Sequence, residues 1–203
     1  MLIKVCGMRE PANILAVATT IRPDYMGFIF YLPSPRNITN LHPEVIAQIA
    51  AATKPTGVFV NASLEEIAAK TQYYGLQAVQ LHGTESPDFC RKCKEKLSIE
   101  VLKAFSVATQ EDLIAINNYD KAIDFALLDT KGRHAGGNGV AFDWGILKDY
   151  TAATPFFLSG GISAENWAEV QHLTYPKMVG VDVNSKFEVS PALKDVEKLK
   201  ILL

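Results

Sequence analysis

TGVFVNASLEEIAAK, residues 56–70, contains one complete structural unit. Thr56 to Val60 is a short run rich in β-branched and aromatic residues, the composition of a strand buried on both faces. Asn61 and Ala62 turn the chain. Ser63 then stands where a helix N-cap belongs, with Glu66 three residues on at the capping-box position. Leu64, Ile67 and Ala68 follow at helical spacing. The stretch therefore predicts strand, tight turn, helix.

The same alternation recurs along the chain. The apolar runs LIKVC, YMGFIF, TGVFV, AVQL, EVLKAF, FALLD, PFFLS and MVGVDV are each of strand length, and the segments between them read as helices. Ser163 and Ser190 stand ahead of two further helical patterns, the second with Pro191 just inside its start. Eight βα units predict a (β/α)8 TIM barrel forming one domain over residues 1–203. A length of 203 residues is close to the lower limit of about 200 for this architecture, so the connections must be short. An open, doubly wound sheet is the rival arrangement.

Composition narrows the function. With 48% hydrophobic residues the chain can bury one sizeable core. Its 20 basic and 22 acidic side chains leave a net charge of -2, which gives no field to hold nucleic acid or an anionic membrane. The start MLIKVCGMRE is too short and too polar for a signal peptide, and no apolar run approaches a membrane span, so a cytoplasmic protein is expected. The three cysteines make a disulfide framework improbable. The pair Cys90 and Cys93 spells C-x-x-C without the second pair that zinc wants or the thioredoxin-like context of a redox motif, and is read as two helix positions.

In such a barrel the chemistry sits at the carboxyl ends of the strands. Here those ends carry Cys6, Asn61, His82, Asp129, Ser159 and Asp182. Each alone is an ordinary turn or cap residue; together they place a thiol, an imidazole and two carboxylates on one rim. Cys6 is followed by Gly7, which lets a ligand approach the backbone. A free thiol titrates near about 8.5, so a base role for Cys6 requires a lowered pKa, and Lys4, Asp182 and Lys186 are the charges to examine. Strands one and six lie three steps apart on a ring of eight, so Cys6 and Asp129 should face each other across the mouth. Strand periodicity and closure bring Lys4 towards Asp182, leaving Asp182 either as its counter-ion or as a contact to substrate.

The strings SGGIS (159–163) and NSKFEVSP (184–191) follow the seventh and eighth runs, where barrels of this type hold phosphate. The long glycine-rich segment 130–144 after Asp129 reads as a lid.

Beyond these patterns, KVCGMRE (4–10), GFIF (27–30), SPR (34–36), GVFVN (57–61), VQLHG (79–83), LLDT (127–130) with GG-N-G and FDW after it, LSGGI (158–162) and GVDVNS (180–185) resemble, in order and spacing, the phosphoribosylanthranilate isomerase family. The resemblance runs from Leu2 to about Glu188. It implies a cofactor-free and metal-free barrel enzyme of tryptophan biosynthesis. Its substrate would be N-(5-phosphoribosyl)anthranilate and its product the 1-deoxyribulose 5-phosphate isomer. By position, Cys6 resembles the family's general base and Asp129 its general acid. Arg36 resembles the residue that meets the anthranilate carboxylate, and His82 one that lines the ring pocket. Gly160, Gly161, Asn184 and Ser185 fall where the family grips phosphate. Two positions depart from the usual pattern: Lys186 replaces a glycine in that loop, and Asn138 stands where the lid usually has Ser or Thr.

The expected partner is this small molecule, bound by a monomer or a homodimer. A metal-dependent sugar-phosphate epimerase would need several His and Asp ligands on the rim, and the chain has four histidines in all. A barrel that binds a phosphorylated metabolite without turnover would have no need of both an acid and a base.

Overall fold

A computed structural model describes residues 1–38, 40–130 and 144–203. The segment read as a lid, Asn138 included, falls almost entirely outside the described residues.

The eight apolar runs form eight parallel strands: β1 Leu2–Val5, β2 Tyr25–Ile29, β3 Lys54–Phe59, β4 Ala78–Leu81, β5 Glu100–Val107, β6 Phe125–Thr130, β7 Phe156–Ser159 and β8 Met178–Val183. They pair in chain order and close, β8 against β1, into a barrel. The closing register sets Lys4 opposite Asp182. The open-sheet alternative is thereby excluded.

Local chemistry explains most of the helices between the strands. α1 (Pro11–Thr20) begins with proline at its first position and turns Ile14, Val17 and Ala18 inward. α2 (Pro43–Ile49) also starts on proline. In α3 (Leu64–Tyr74) the Ser63 hydroxyl accepts from the Glu66 N–H, and Gly75 ends the helix at φ 62°, a left-handed turn that favours glycine. α4 (Pro87–Leu97) is capped by Ser86 and buries Cys90 and Cys93, one turn apart on its core face. Burial pushes both thiols up to about 12, as expected of packing residues. α5 (Gln110–Ala115) carries a full capping box, Thr109 with Asp112.

The second half departs from the helix pattern. Only a 3-10 turn, Trp144–Asp149, is found among the described residues between β6 and β7. After β7 the helix α6 is short, Trp167–Val170, with Asn166 and not Ser163 at its cap position. Ser163 instead donates its main-chain N–H to Asn166 Oδ1, 2.9 Å away. The expectation of a helix beginning at Ser190 and Pro191 is also overturned. Residues 188–194 form a small antiparallel hairpin, β9 (Glu188–Ser190) with β10 (Leu193–Lys194), turned by Ala192 at φ 70°. Asp195 then caps α7 (Val196–Leu199) by accepting from the Lys198 N–H.

The core has two layers. The larger lies between barrel and helices and includes Val5, Ile14, Val17, Ile46, Ile67, Leu128 and Phe156. Each such side chain contributes about 1.5–3 kcal/mol when fully removed from water. The smaller fills the barrel at the strand starts, where Tyr25, Phe125 and Phe157 meet edge-to-face. Gly180 makes room for this trio, since a Cβ there would lie 2.7 Å from the Phe157 ring and 2.4 Å from the Leu2 carbonyl oxygen. With the strand starts plugged by apolar side chains, the polar groups of the barrel collect at the other end.

Candidate active site

At the carboxyl ends of the strands lies a cavity of about 230 Å³. Cys6, His82, Asp129 and Asp182 line it from β1, β4, β6 and β8, and Gly160, Gly161, Asn184 and Ser185 from the loops after β7 and β8. Ile29 and Val58 supply apolar wall. Of the other two polar strand ends, Ser159 also lines the cavity, whereas Asn61 does not. Asn61 sits at φ 52°, and its side-chain oxygen accepts from the Thr84 N–H and hydroxyl, a structural role.

Cys6 is held by its surroundings on three sides. Its N–H donates to the Val183 carbonyl, and the Gly7 and Met8 N–H groups both donate to the Gly27 carbonyl. Gly7 is at φ 77°. Gly27 is glycine because a Cβ there would stand 2.7 Å from the Cys6 sulfur.

Beneath the thiol, Lys4 Nζ donates to Asp182 Oδ1 at 2.8 Å, with the two side chains 0% and 7% exposed. Asp182 Oδ2 accepts from the Ser159 hydroxyl at 3.2 Å. The expected counter-ion role of Asp182 is therefore filled. Burial opposes the Lys4 charge, but Asp182 and Cys6 outweigh it and raise its pKa.

The thiol itself runs against expectation. Burial drives the Cys6 pKa up, and Asp182 adds to this. Lys4 and Lys194 pull it down without overcoming the burial. In the ligand-free chain Cys6 is a neutral thiol. Lys186 is not among the largest influences on it.

His82 is lowered by burial, although Asp129 and Asp182 pull the other way, and so is a neutral imidazole. Its Nδ1 lies 2.8 Å from Gln80 Nε2. With the amide nitrogen donating, Nδ1 accepts and Nε2 carries the ring proton. Gln80 also lines the cavity, and its Oε1 is buried without a hydrogen-bond partner among the described residues.

Arg36 is not part of the cavity lining but stands beside it. Its Cδ would be 2.8 Å from a Cβ on Gly7. Its guanidinium is gripped by Glu188, through Nε at 2.9 and 3.0 Å and Nη2 at 2.6 Å. Beyond the cavity wall, Lys194 is fully buried and donates to Glu188 and Asn184.

The two loops expected to take phosphate both contribute to the cavity lining. Gly160 and Gly161 adopt φ 82° and 70°. No atom lies within 4 Å of a Cβ built on Gly161, so the backbone angle and not crowding calls for glycine there. Ser185 and Lys186 open a 3-10 turn, Ser185–Phe187, and Lys186 is an exposed cation on the cavity's edge.

Residues 3–203 match the family model described as N-(5'phosphoribosyl)anthranilate (PRA) isomerase. The chain belongs to the phosphoribosylanthranilate isomerase family. A phosphoribosylanthranilate isomerase of Parabacteroides distasonis is 44% identical over 202 residues, 98% of this chain and 90% of the relative. Another from Phocaeicola vulgatus is 43% identical over 195 residues, 96% and 92% of the two chains. Among solved structures, the phosphoribosylanthranilate isomerase of Thermotoga maritima superposes with a TM-score of 0.84 at 34% identity, covering 99% of this chain and 96% of that one. A phosphoribosylanthranilate isomerase in complex with reduced 1-(o-carboxyphenylamino)-1-deoxyribulose 5-phosphate superposes at 0.78 with 31% identity, covering 99% and 95%.

Three residues of the site escape a reading of strand ends. Gln80 was accessible in principle, since it lies two positions before His82 on a strand and so shares its face. Glu188 and Lys194 were not, because the stretch from Pro191 has the spacing of a helix and nothing local marks the hairpin that carries both residues.

Proposed function

We propose that this cavity converts N-(5'-phosphoribosyl)anthranilate into 1-(2-carboxyphenylamino)-1-deoxyribulose 5-phosphate, a step of tryptophan biosynthesis, by acid-base catalysis from Asp129 and Cys6. The observation that carries the assignment is that a thiol and a carboxylate from strands three steps apart line one cavity, beside two glycines at positive φ.

Asp129, as general acid, supplies a proton to the ribose ring oxygen as the C1–O bond breaks, and the lone pair of the anthranilate nitrogen forms the C=N bond. Cys6, as thiolate, then removes the C2 proton; the C2–H electrons form a C1=C2 bond and the C=N π pair returns to nitrogen, giving an enolamine. Tautomerisation to the C2 ketone completes the isomerisation. The substrate's nitrogen is the electron sink, so the chain need supply only a proton donor, a proton acceptor and a grip on each end.

The phosphate end is assigned to the N–H groups around Gly160, Gly161, Asn184 and Ser185, and the carboxylate end to Arg36. His82 lines the ring pocket and offers its Nε2 proton there. Asp182 orients Lys4, whose positive charge favours the Cys6 thiolate. The working thiolate is a minority form in the free chain, and each pKa unit above the ambient pH costs tenfold in its population.

On this reading residues 1–203 work as one barrel domain in the cytoplasm, as a monomer or homodimer. No helix among the described residues is long and apolar enough to cross a membrane.

Turnover of the purified variants tests the assignment. Cys6→Ala and Asp129→Asn should each lower kcat by about a hundredfold or more. Near-normal turnover in either removes that residue from the mechanism.

A further inference from the structure

The grip on Arg36 is more elaborate than a cavity-side arginine requires. Glu188 is almost wholly buried, 4% exposed. Its Oε1 accepts from Arg36 Nε, from Lys194 Nζ at 2.5 Å and from the Ala192 N–H at 3.2 Å, and its Oε2 accepts from Arg36 Nε and Nη2. Lys194 Nζ makes a second bond to Asn184 Oδ1 at 2.8 Å. The Lys194 main chain is pinned in turn: Asn13 Nδ2 donates to its carbonyl at 2.9 Å, and its N–H donates to Asn13 Oδ1 at 2.8 Å. The β9–β10 hairpin is thus bolted to α1, and Glu188 projects from it against Arg36.

Two features separate this cluster from an ordinary structural ion pair. Glu188 and Lys194 already satisfy each other's charge within the hairpin, so Arg36, from the segment after β2, is a third member that hairpin stability does not require. The cluster also holds two cations and one anion, which leaves an excess of one positive charge at the wall of the cavity. Arg36 is a fifth exposed, so solvent offsets part of that excess and an anion at the cavity would neutralise the rest.

A guanidinium has two edges that can take a carboxylate bidentately, one formed by Nε and Nη2 and one by Nη1 and Nη2. Glu188 occupies the first. We infer that Glu188, locked by Lys194 and Asn13, is a positioning residue that fixes the Arg36 fork so that its Nη1/Nη2 edge receives the substrate's carboxylate, which neutralises the cluster. The inference rests on the assignment of Arg36 to that carboxylate made above. Preorganisation of this kind strengthens binding by removing the cost of ordering a long side chain when the ligand arrives.

Binding of two ligands distinguishes the possibilities. One is reduced 1-(o-carboxyphenylamino)-1-deoxyribulose 5-phosphate; the other is the same molecule with phenyl in place of carboxyphenyl. Calorimetry on Glu188→Gln should show binding of the first weakened about tenfold and of the second changed less than about twofold. In the isomerisation assay the same variant should raise KM more than it lowers kcat. Because Glu188 acts through Arg36, Arg36→Met/Glu188→Gln should bind the carboxylated ligand no more weakly than Arg36→Met alone.

Equal weakening of both ligands by Glu188→Gln, or additive losses in the double variant, overturns the positioning role while leaving Arg36's own assignment intact. If Arg36→Met binds the two ligands as the unaltered chain does, the assignment of Arg36 fails and the inference with it. Should Glu188→Gln lose cooperative unfolding, Glu188→Asp serves instead. It keeps the charge that Lys194 needs but is one methylene short of the fork, so it should give the same selective loss in smaller measure, and no selectivity in a folded Glu188→Asp chain overturns the inference.

Discussion

Replacing Lys4 with methionine keeps most of the side-chain volume and removes the ammonium that Asp182 holds at 2.8 Å. Both partners are buried, so the Coulombic attraction is little screened, and the carboxylate left behind retains only the Ser159 hydroxyl among the bonds described for it. Breaking a buried pair from one side costs about 3–5 kcal/mol, because it strands an uncompensated charge. In a domain of this length each kcal/mol moves the melting temperature by about 2–4 °C, which predicts a fall of roughly 6–20 °C. Lys4→Met/Asp182→Asn removes the stranded charge and should regain most of the loss. Circular-dichroism melts of the four proteins in the cycle give the coupling. The pH dependence has a definite sign. The folded pKa of Lys4 is raised above its ordinary value of 10.5, so its contribution is present in full below that pH and is lost as pH rises through the folded value. Cys6, raised above its ordinary 9.0, acts in the same direction from a lower starting point. Lys4→Met should therefore decline less steeply in alkali than the parent. A Lys4→Met chain that melts within a degree or two of the parent, or a double variant whose loss is the sum of the singles, would refute the reasoning.

Three further outcomes follow from the same site. The rate of Cys6 alkylation by iodoacetamide should rise with pH and level off only above the ordinary thiol value of 9.0, while Lys194→Met shifts that midpoint higher still; a midpoint below 8 in the parent contradicts the dominance of burial. Gly27→Ala drives a methyl to within 2.7 Å of the Cys6 sulfur, and since this atom ends a short side chain that can yield only towards the cavity, kcat should fall by about tenfold or more as the base is displaced; unimpaired kcat would mean the sulfur position is not critical. Lys186→Gly restores the family's usual residue at the cavity edge, and because the ammonium is exposed its contribution to phosphate binding should be only about two- to fivefold, shrinking with added salt; an affinity for inorganic phosphate unchanged at low salt would show that Lys186 does not reach the anion.

The barrel was legible because its strands are short, apolar and separated by capped helices; Ser63, Ser86 and Thr109 all accept from the main-chain N–H three residues on. After β7 the eighth strand remained legible but the helices did not, since α6 is short and a hairpin replaces the expected start of the last helix. PALKDVEKLKILL has helical spacing, and Pro191 suits a helix start, yet Asn13 captures the Lys194 main chain from 181 residues away. No local pattern encodes that contact. The site divides along the same line. Cys6, His82, Asp129 and Asp182 were visible because strand ends and period-two alternation fix where a side chain points. The neutral state of Cys6 was not, since it depends on how completely the surrounding strands exclude water. Nor was the Arg36–Glu188 contact, which joins two loops at the mouth.

The hairpin that grips Arg36 follows all eight barrel strands in the chain. Until that hairpin is set against α1, a chain still being made lacks the grip of Glu188 on Arg36. On the reading proposed here, such a nascent chain would have no fixed fork for the carboxylate. Recognition of the carboxylate would thus depend on a hairpin made after every barrel strand, and losing the segment after Val183 would cost that grip together with the core side chains Phe187, Leu199 and Leu202.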